Sequence, residues 1–189
     1  KLADPAWQPD FGPTHFTPRW GATVTGAREF LIAYNINLNT KDKRIAHDIA
    51  LSIRETGRTI KDSNGNIVKI PGRLQAVRAI GWYIESYQCA QVSINILDFR
   101  TTPLYVVFDA VKKEAEARGI YVIGSELIGL IPLEAICVCG RYYRQKAGKS
   151  PGLSDEELVE LAVQTLGLRS VQSFEPEKKI IEWAIRKEG

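Results

Sequence analysis

The chain has 189 residues, and its 25 basic and 22 acidic side chains leave a net charge of +3. That surplus is too small to imply nucleic acid, and no basic run exceeds a few residues. With 44% hydrophobic and 25% charged residues, the composition is that of one globular unit with a sizeable core, and apolar runs such as Phe30–Tyr34 are strand-sized, far below a membrane span.

The first segment, residues 9–28, is dense in proline, glycine and aromatic rings. Pro9, Pro13 and Pro18 fix φ and remove amide donors, while Gly12, Gly21 and Gly26 allow sharp turns. Phe11, Phe16 and Trp20 offer flat apolar faces, with Thr14, His15, Thr17 and Arg19 between them. Such a loop suits a flat heteroaromatic ligand, or else packs on its own domain.

Residues 30–37 (FLIAYNIN) read as a central strand. Thr40 is placed to cap a helix through Thr56, with Ile45, Ile49 and Ile53 on one face and Gly57 at its end. Asn64-Gly65, inside the polar run 61–66, signals a small hairpin or flap. Leu74–Ile84 and Gln88–Leu97 read as two strands, the second alternating Val92, Ile94 and Ile96 with Ser93, Asn95 and Leu97. Thr102-Pro103 opens a helix with proline at its first position, burying Val107, Val111 and Ala115 and stopping at Gly119. Ile120–Ile123 is the next strand. This order is the split βαβ pattern: an α+β, ferredoxin-like sheet with both helices on one face.

Beyond it, a helix runs from Pro132 to Gln145, followed by a loop over residues 146–153. Ser154 and Glu157 form a capping box for a helix that ends near Gly167 and turns Leu158, Leu161, Ala162 and Thr165 to the core. A last helix, Pro176–Ile185, buries Ile180, Ile181 and Ala184 or Trp183. These C-terminal helices cover open sheet or form an interface.

Few residues advertise chemistry. Gly124–Gly129 lacks the ending of a phosphate loop and is not a nucleophile elbow; it reads as a strand-end loop exposing Ser125 and Glu126, or a turn. Asn35, Asn37, Gln91, Asn95 and Asp98 form either a polar patch on neighbouring strands or an ordinary solvated face. His47 reads as a solvated helix residue. Arg19, Arg28 and Arg73 are candidate partners for carboxylates. Cys89, Cys137 and Cys139 contain no CxxC pair, so buried thiols in a reducing compartment are expected and no metal site.

The run PDFGPTHFTPRWGATVTGAREFLIAYNINLNT closely resembles the segment joining the two halves of the formiminotransferase domain found in formimidoyltransferase-cyclodeaminases and glutamate formimidoyltransferases. AHDIALSIRETGR (46–58), PGRLQAVRAIGWYIE (71–85), AQVSINILDF (90–99), GSELIGLIPLEA (124–135) and FEPEKKIIEW (174–183) follow in the family's order. The resemblance implies a linker arm over residues 1–29 and the C-terminal subdomain over 30–189. It implies transfer of a formimino group from N-formimino-L-glutamate to tetrahydrofolate in histidine breakdown, with folate as acceptor and no metal. It carries folate binding onto Gly12, Pro13, Thr14, His15, Phe16, Thr17, Pro18, Arg19, Trp20 and Gly21. The family's general acid/base histidine belongs to the first half-domain, so it has no position here and none of these residues is catalytic. A cytoplasmic homodimer working with that first half is expected, without nucleic acid or membrane. The alternatives are a non-catalytic folate-binding or assembly module, and a ferredoxin-like regulatory domain for another small ligand.

Overall fold

The computed structural model describes residues 2, 4–150 and 152–188. Lys1 and Ala3 of the expected arm, Pro151 of the expected loop, and Gly189 lie outside them. Six strands and six helices follow a 3-10 turn at Pro5–Trp7: β1 (Ile32–Leu38), α1 (Lys43–Ile53), β2 (Arg58–Lys61), β3 (Ile67–Ile70), β4 (Val77–Ile84), β5 (Cys89–Ile96), α2 (Leu104–Glu116), β6 (Val122–Ile128), α3 (Leu133–Lys146), α4 (Asp155–Leu166), α5 (Pro176–Lys179) and α6 (Ile181–Glu188). Four strands form one sheet in the order β4-β5-β1-β6, every neighbour antiparallel. This is the ferredoxin-like arrangement, with β2 and β3 set apart as a separate hairpin.

The period of two sorts the sheet into two faces. Ile32, Tyr34, Ile36 and Leu38 of β1 join Val92, Ile94 and Ile96 of β5 in a core completed by Ala46, Ile49, Ala50 and Ile53 of α1 and by Leu104, Val107 and Val111 of α2. Gly81 of β4 allows α1 to lie directly on the sheet, since a Cβ there would sit 2.0 Å from the backbone nitrogen of His47. Gly140 does the same for α3 and α4, where a Cβ would meet the Leu158 carbonyl at 2.2 Å. Tyr34 reaches through the core to donate to Ser125 Oγ (3.0 Å), which donates to the Leu166 carbonyl (2.6 Å), tying β1 and β6 to the end of α4.

Several element ends differ from expectation. Asp42, not Thr40, caps α1 by accepting from the Arg44 amide at 2.9 Å; Thr40 accepts one step earlier, from the Asp42 amide. The α1 helix stops at Ile53, where the Leu74 and Arg73 amides take up the Ile53 and Ser52 carbonyls. β4 begins only at Val77 because Ala76 has φ 52, off the extended backbone. Pro103 is the residue before α2 and not its first turn. The expected last helix breaks at Ile180, whose extended backbone bridges to Ile131 and buries its side chain fully. Ile181, Trp183 and Ala184 are only half-buried. The capping box at Ser154 and Glu157 is present and Gly167 closes α4 in the left-handed conformation. The buried side of α4 is rotated from the expected one: Leu158 and Ala162 are joined by Val159, Val163 and Leu166, whereas Leu161 is half-buried and Thr165 exposed.

Candidate functional site

The sheet face opposite α1 and α2 carries a network of polar side chains. Register places Asn35 beside Glu126 and Asn37 beside Gly124 on one flank of β1, with Ser93 and Gln91 of β5 on the other. Asn35 Nδ2 donates to Glu126 Oε1 at 3.0 Å, and Gln91 Nε2 donates to the same oxygen at 2.8 Å and to Asn37 Oδ1 at 2.7 Å. Trp82 Nε1 donates to Gln91 Oε1 at 2.7 Å, and Tyr87, in the β4–β5 turn, donates to Glu126 Oε2 at 3.0 Å. Gln172 in turn donates to the Tyr87 hydroxyl. Asn35, Asn37, Gln91 and Glu126 are all at least nine-tenths buried, and Asn37 Nδ2 is left without a partner.

A buried carboxylate costs free energy unless it is hydrogen-bonded, so the three donors onto Glu126 are what keep it there. The cluster sits at one end of the face, where Ser170 lies against Gly124. The remainder is open: Ile80, Trp82 and Ile128 are 49%, 41% and 47% exposed, with Arg78 and Asn95 also exposed. The open face therefore has an amide- and carboxylate-lined end, and apolar side chains on its two edge strands, β4 and β6.

The arm is the second element. Among residues 12–21 only Thr17 is half-buried; Phe11, Phe16 and Trp20 are 93%, 64% and 75% exposed. A tight turn gives this loop its shape, with the Trp20 and Gly21 amides returning to the Thr17 carbonyl at 3.1 and 2.8 Å. The arm curls around a cavity of about 1060 Å³ whose walls include Trp7, Phe11, Thr14, His15, Phe16 and Val24. A smaller one of about 330 Å³ lies between Pro13, Thr17, Trp20 and Gly21. The Arg19 guanidinium lies 4.8 Å over the Trp20 ring, and Glu29 reaches Arg100 of the body at 3.4 Å. An apolar enclosure with a few polar atoms is the usual form of a small-molecule site.

The other candidates separate. Ser125 and Glu126 belong to strand β6 and are buried, so the expectation of an exposed strand-end loop is wrong. They point to opposite faces, Ser125 into the helical core and Glu126 into the polar cluster. Asp98 is occupied in a turn, accepting from the Arg100 amide and Thr101 Oγ1 at 2.9 and 2.7 Å. Arg73 pairs with Glu114 at 2.6 Å on the helical side, which removes it as a partner for a ligand at the open face. His47 is exposed on the outer side of α1, as expected. All three thiols are buried, and desolvation pushes Cys137 and Cys139 up to about 11 and about 12. Among the described residues no group of three potential ligands could hold a metal, and no helix is long and apolar enough to cross a membrane. Sequence reasoning missed Trp82, Tyr87 and Gln172; only Trp82 left a signal, alternating with Ile80 and Ile84 on the strand.

The family model for the formiminotransferase domain matches residues 33–186. The chain belongs to the formiminotransferase domain family. It is 48% identical to a formimidoyltransferase-cyclodeaminase of Gallus gallus over 186 residues, covering 98% of this chain and 32% of that protein. It is 47% identical to the Mus musculus formimidoyltransferase-cyclodeaminase, over all of this chain and 33% of that protein. A glutamate formimidoyltransferase of Thermoplasma acidophilum is 35% identical over 85% of this chain and 48% of its own length. The chain thus spans about a third of the formimidoyltransferase-cyclodeaminases and about half of the smaller enzyme.

Proposed function

We propose that this chain forms the folate-side wall of a glutamate formimidoyltransferase, in which a formimino group passes from N-formimino-L-glutamate to tetrahydrofolate. The observation that carries this reading is the exposed aromatic arm: Phe11, Phe16 and Trp20 stand out of the core on a proline-stiffened loop that encloses its own cavity. Rings left in solvent on a rigid loop lose little entropy on stacking against a flat pterin or aminobenzoyl ring, and each such pair contributes about 0.5–1.5 kcal/mol beyond burial. Gly12–Gly21 is the folate-binding segment in this reading. Arg19 and Arg28 remain available for the carboxylates of a glutamyl tail.

The open sheet face supplies the second wall of a cleft shared with a first half-domain. The apolar side chains of its edge strands, Ile80 and Trp82 of β4 and Ile128 of β6, suit a flat ligand or the facing half-domain. In the reaction the pterin amine attacks the formimino carbon, a tetrahedral intermediate forms, and the bond to the glutamate nitrogen breaks as that nitrogen is protonated. The proton donor is the first half-domain's histidine, and this chain's contribution is to position two substrates. His15, in the arm, contacts ligand without moving a proton, and His47 takes no part.

Calorimetric titration with a reduced folate tests the arm. Trp20→Ala is expected to weaken binding by about tenfold; an unchanged affinity removes the arm from the site. Transfer assayed with and without the first half-domain tests the division of labour, and full activity from this chain alone refutes it.

A further inference from the structure

After α4 the chain wraps the β6 edge and lies across the polar end of the open face. Gly167 ends α4 in the left-handed conformation, and its carbonyl accepts from the Ser125 amide at 3.0 Å. Leu168 and Phe174 are buried. Arg169 closes the neck between them, donating to the Phe174 carbonyl at 3.4 Å and pairing with Glu160 of α4 at 2.7 Å. Within this loop Ser170, Gln172 and Ser173 are exposed and Val171 is half-buried. Two contacts seat the tip on the sheet: Ser170 occupies the space that a side chain on Gly124 would take, and Gln172 donates to the Tyr87 hydroxyl. The β4–β5 turn that carries Tyr87 is braced. Gln88 has φ 51, which a residue other than glycine holds only when its surroundings enforce it. Its side chain donates to the Glu85 carbonyl at 2.8 Å and accepts from Lys41 Nζ at 3.2 Å.

Beside Gly124, and opposite it in the β1–β6 register, is Asn37, which is fully buried. Its Oδ1 accepts from Gln91 at 2.7 Å, but its Nδ2 has no partner among the described residues. A buried amide donor without an acceptor is costly and rare, so the closed loop leaves one group unaccounted for. We propose that residues 169–174 form a lid over a pocket for a neutral carbonyl oxygen, and that Asn37 Nδ2 is the donor that binds it. When Gln172 releases Tyr87 and Ser170 leaves Gly124, the absent side chain of Gly124 becomes room beside Asn37 for an amide or lactam group. Tyr87 keeps its bond to Glu126 at 3.0 Å in both states, so opening breaks one side-chain hydrogen bond at the tip. The pocket selects a neutral ligand because the Gln91 amide joins Asn37 to the Glu126 carboxylate, whose charge repels a second carboxylate nearby. It uses no residue of the arm, and so goes beyond the folate assignment.

Titration of the chain with acetamide, followed by NMR at the side-chain NH₂ of Asn37, tests this. The Asn37 signals are expected to shift saturably with acetamide and to stay in place with acetate at the same concentrations. Gln172→Ala, at an exposed position, removes the latch. Apparent affinity scales with the fraction of molecules that are open, so this variant should bind acetamide about threefold more tightly or better. Its circular dichroism spectrum is expected to match the parent's. Tyr87→Phe breaks the same bond from the other side and should act in the same direction. Asn37 signals that ignore acetamide mean that the donor meets water alone, which overturns the pocket. Acetate moving them as strongly overturns the preference for a neutral group. Folded variants that keep the parent's affinity overturn the lid.

Discussion

Gln91 of β5 and Glu126 of β6 are two strands apart, yet the amide of one donates to the carboxylate of the other at 2.8 Å, over the top of β1. The contact stitches three strands together on the open face, just as Tyr34 and Ser125 stitch β1 to β6 on the other.

Removing the acceptor therefore frees several donors at once. Glu126→Ala is expected to cost about 1–3 kcal/mol for each buried donor left without a partner, whereas Glu126→Gln keeps one acceptor oxygen and costs less. Urea unfolding followed at Trp82, whose indole is bonded to Gln91, gives both values. An alanine variant as stable as the parent shows that the network contributes nothing.

Gly81→Ala pushes a methyl into the α1 backbone, where 2.0 Å is available. The helix must move off the sheet, at a cost of about 1–3 kcal/mol or more. Thermal unfolding checks this, with Gly152→Ala, a site with open space around it, as the control. Ser154→Ala, which loses the α4 cap, is expected to cost about 1 kcal/mol.

Acid should loosen the junction of α1, α2 and the hairpin. Asp48 accepts from Arg118, and from Arg58 at 2.7 Å, and these hydrogen bonds hold its carboxyl below the ordinary aspartate value of 3.8 despite partial burial. A carboxyl depressed in the folded state contributes stability that is full above its unfolded value and is lost as pH falls through the folded one. Unfolding free energy should thus decline below about pH 4, and Asp48→Asn should flatten that limb while lowering stability at neutral pH. An acid limb identical in both proteins rules Asp48 out.

Thiol labelling offers a further check. Burial raises all three cysteines, Cys89 with help from the nearby Glu126 charge. At neutral pH the folded chain should react slowly with an alkylating reagent and take up three labels on unfolding. Rapid labelling of the folded chain contradicts the packing of α3.

Where the local signal and the tertiary contact agreed, the sequence was readable. Asn64-Gly65 gave the hairpin, Ser154 with Glu157 gave the start of α4, and the alternation in β5 gave its faces. The split βαβ order then placed the sheet. Gly124 and Gly129, read as the bounds of a loop, misplaced β6; Gly124 lies in the strand, and it is glycine because Ser170 packs where a side chain would be, a Cβ added there meeting the Ser170 Cβ at 2.2 Å. Ile180 looked helical by its neighbours, but a bridge to Ile131, 49 positions earlier, pulls it straight. The polar cluster was half legible: Asn35, Asn37 and Gln91 shared the right parity, but Glu126 and Tyr87 enter from segments whose partners only the fold reveals. The arm was legible as composition, since proline and glycine act locally.

The sheet order has a kinetic consequence. Only β4 and β5 are joined by a short turn; β1, at the centre, pairs through Tyr34 with Ile94 on one side and Leu127 on the other. β1, which precedes the other three strands of this sheet in the chain, must wait for both of its neighbours. Closing those long loops costs chain entropy before any ladder compensates, so the β4–β5 hairpin with α1 is the natural nucleus and the middle of the sheet is among the last parts to assemble.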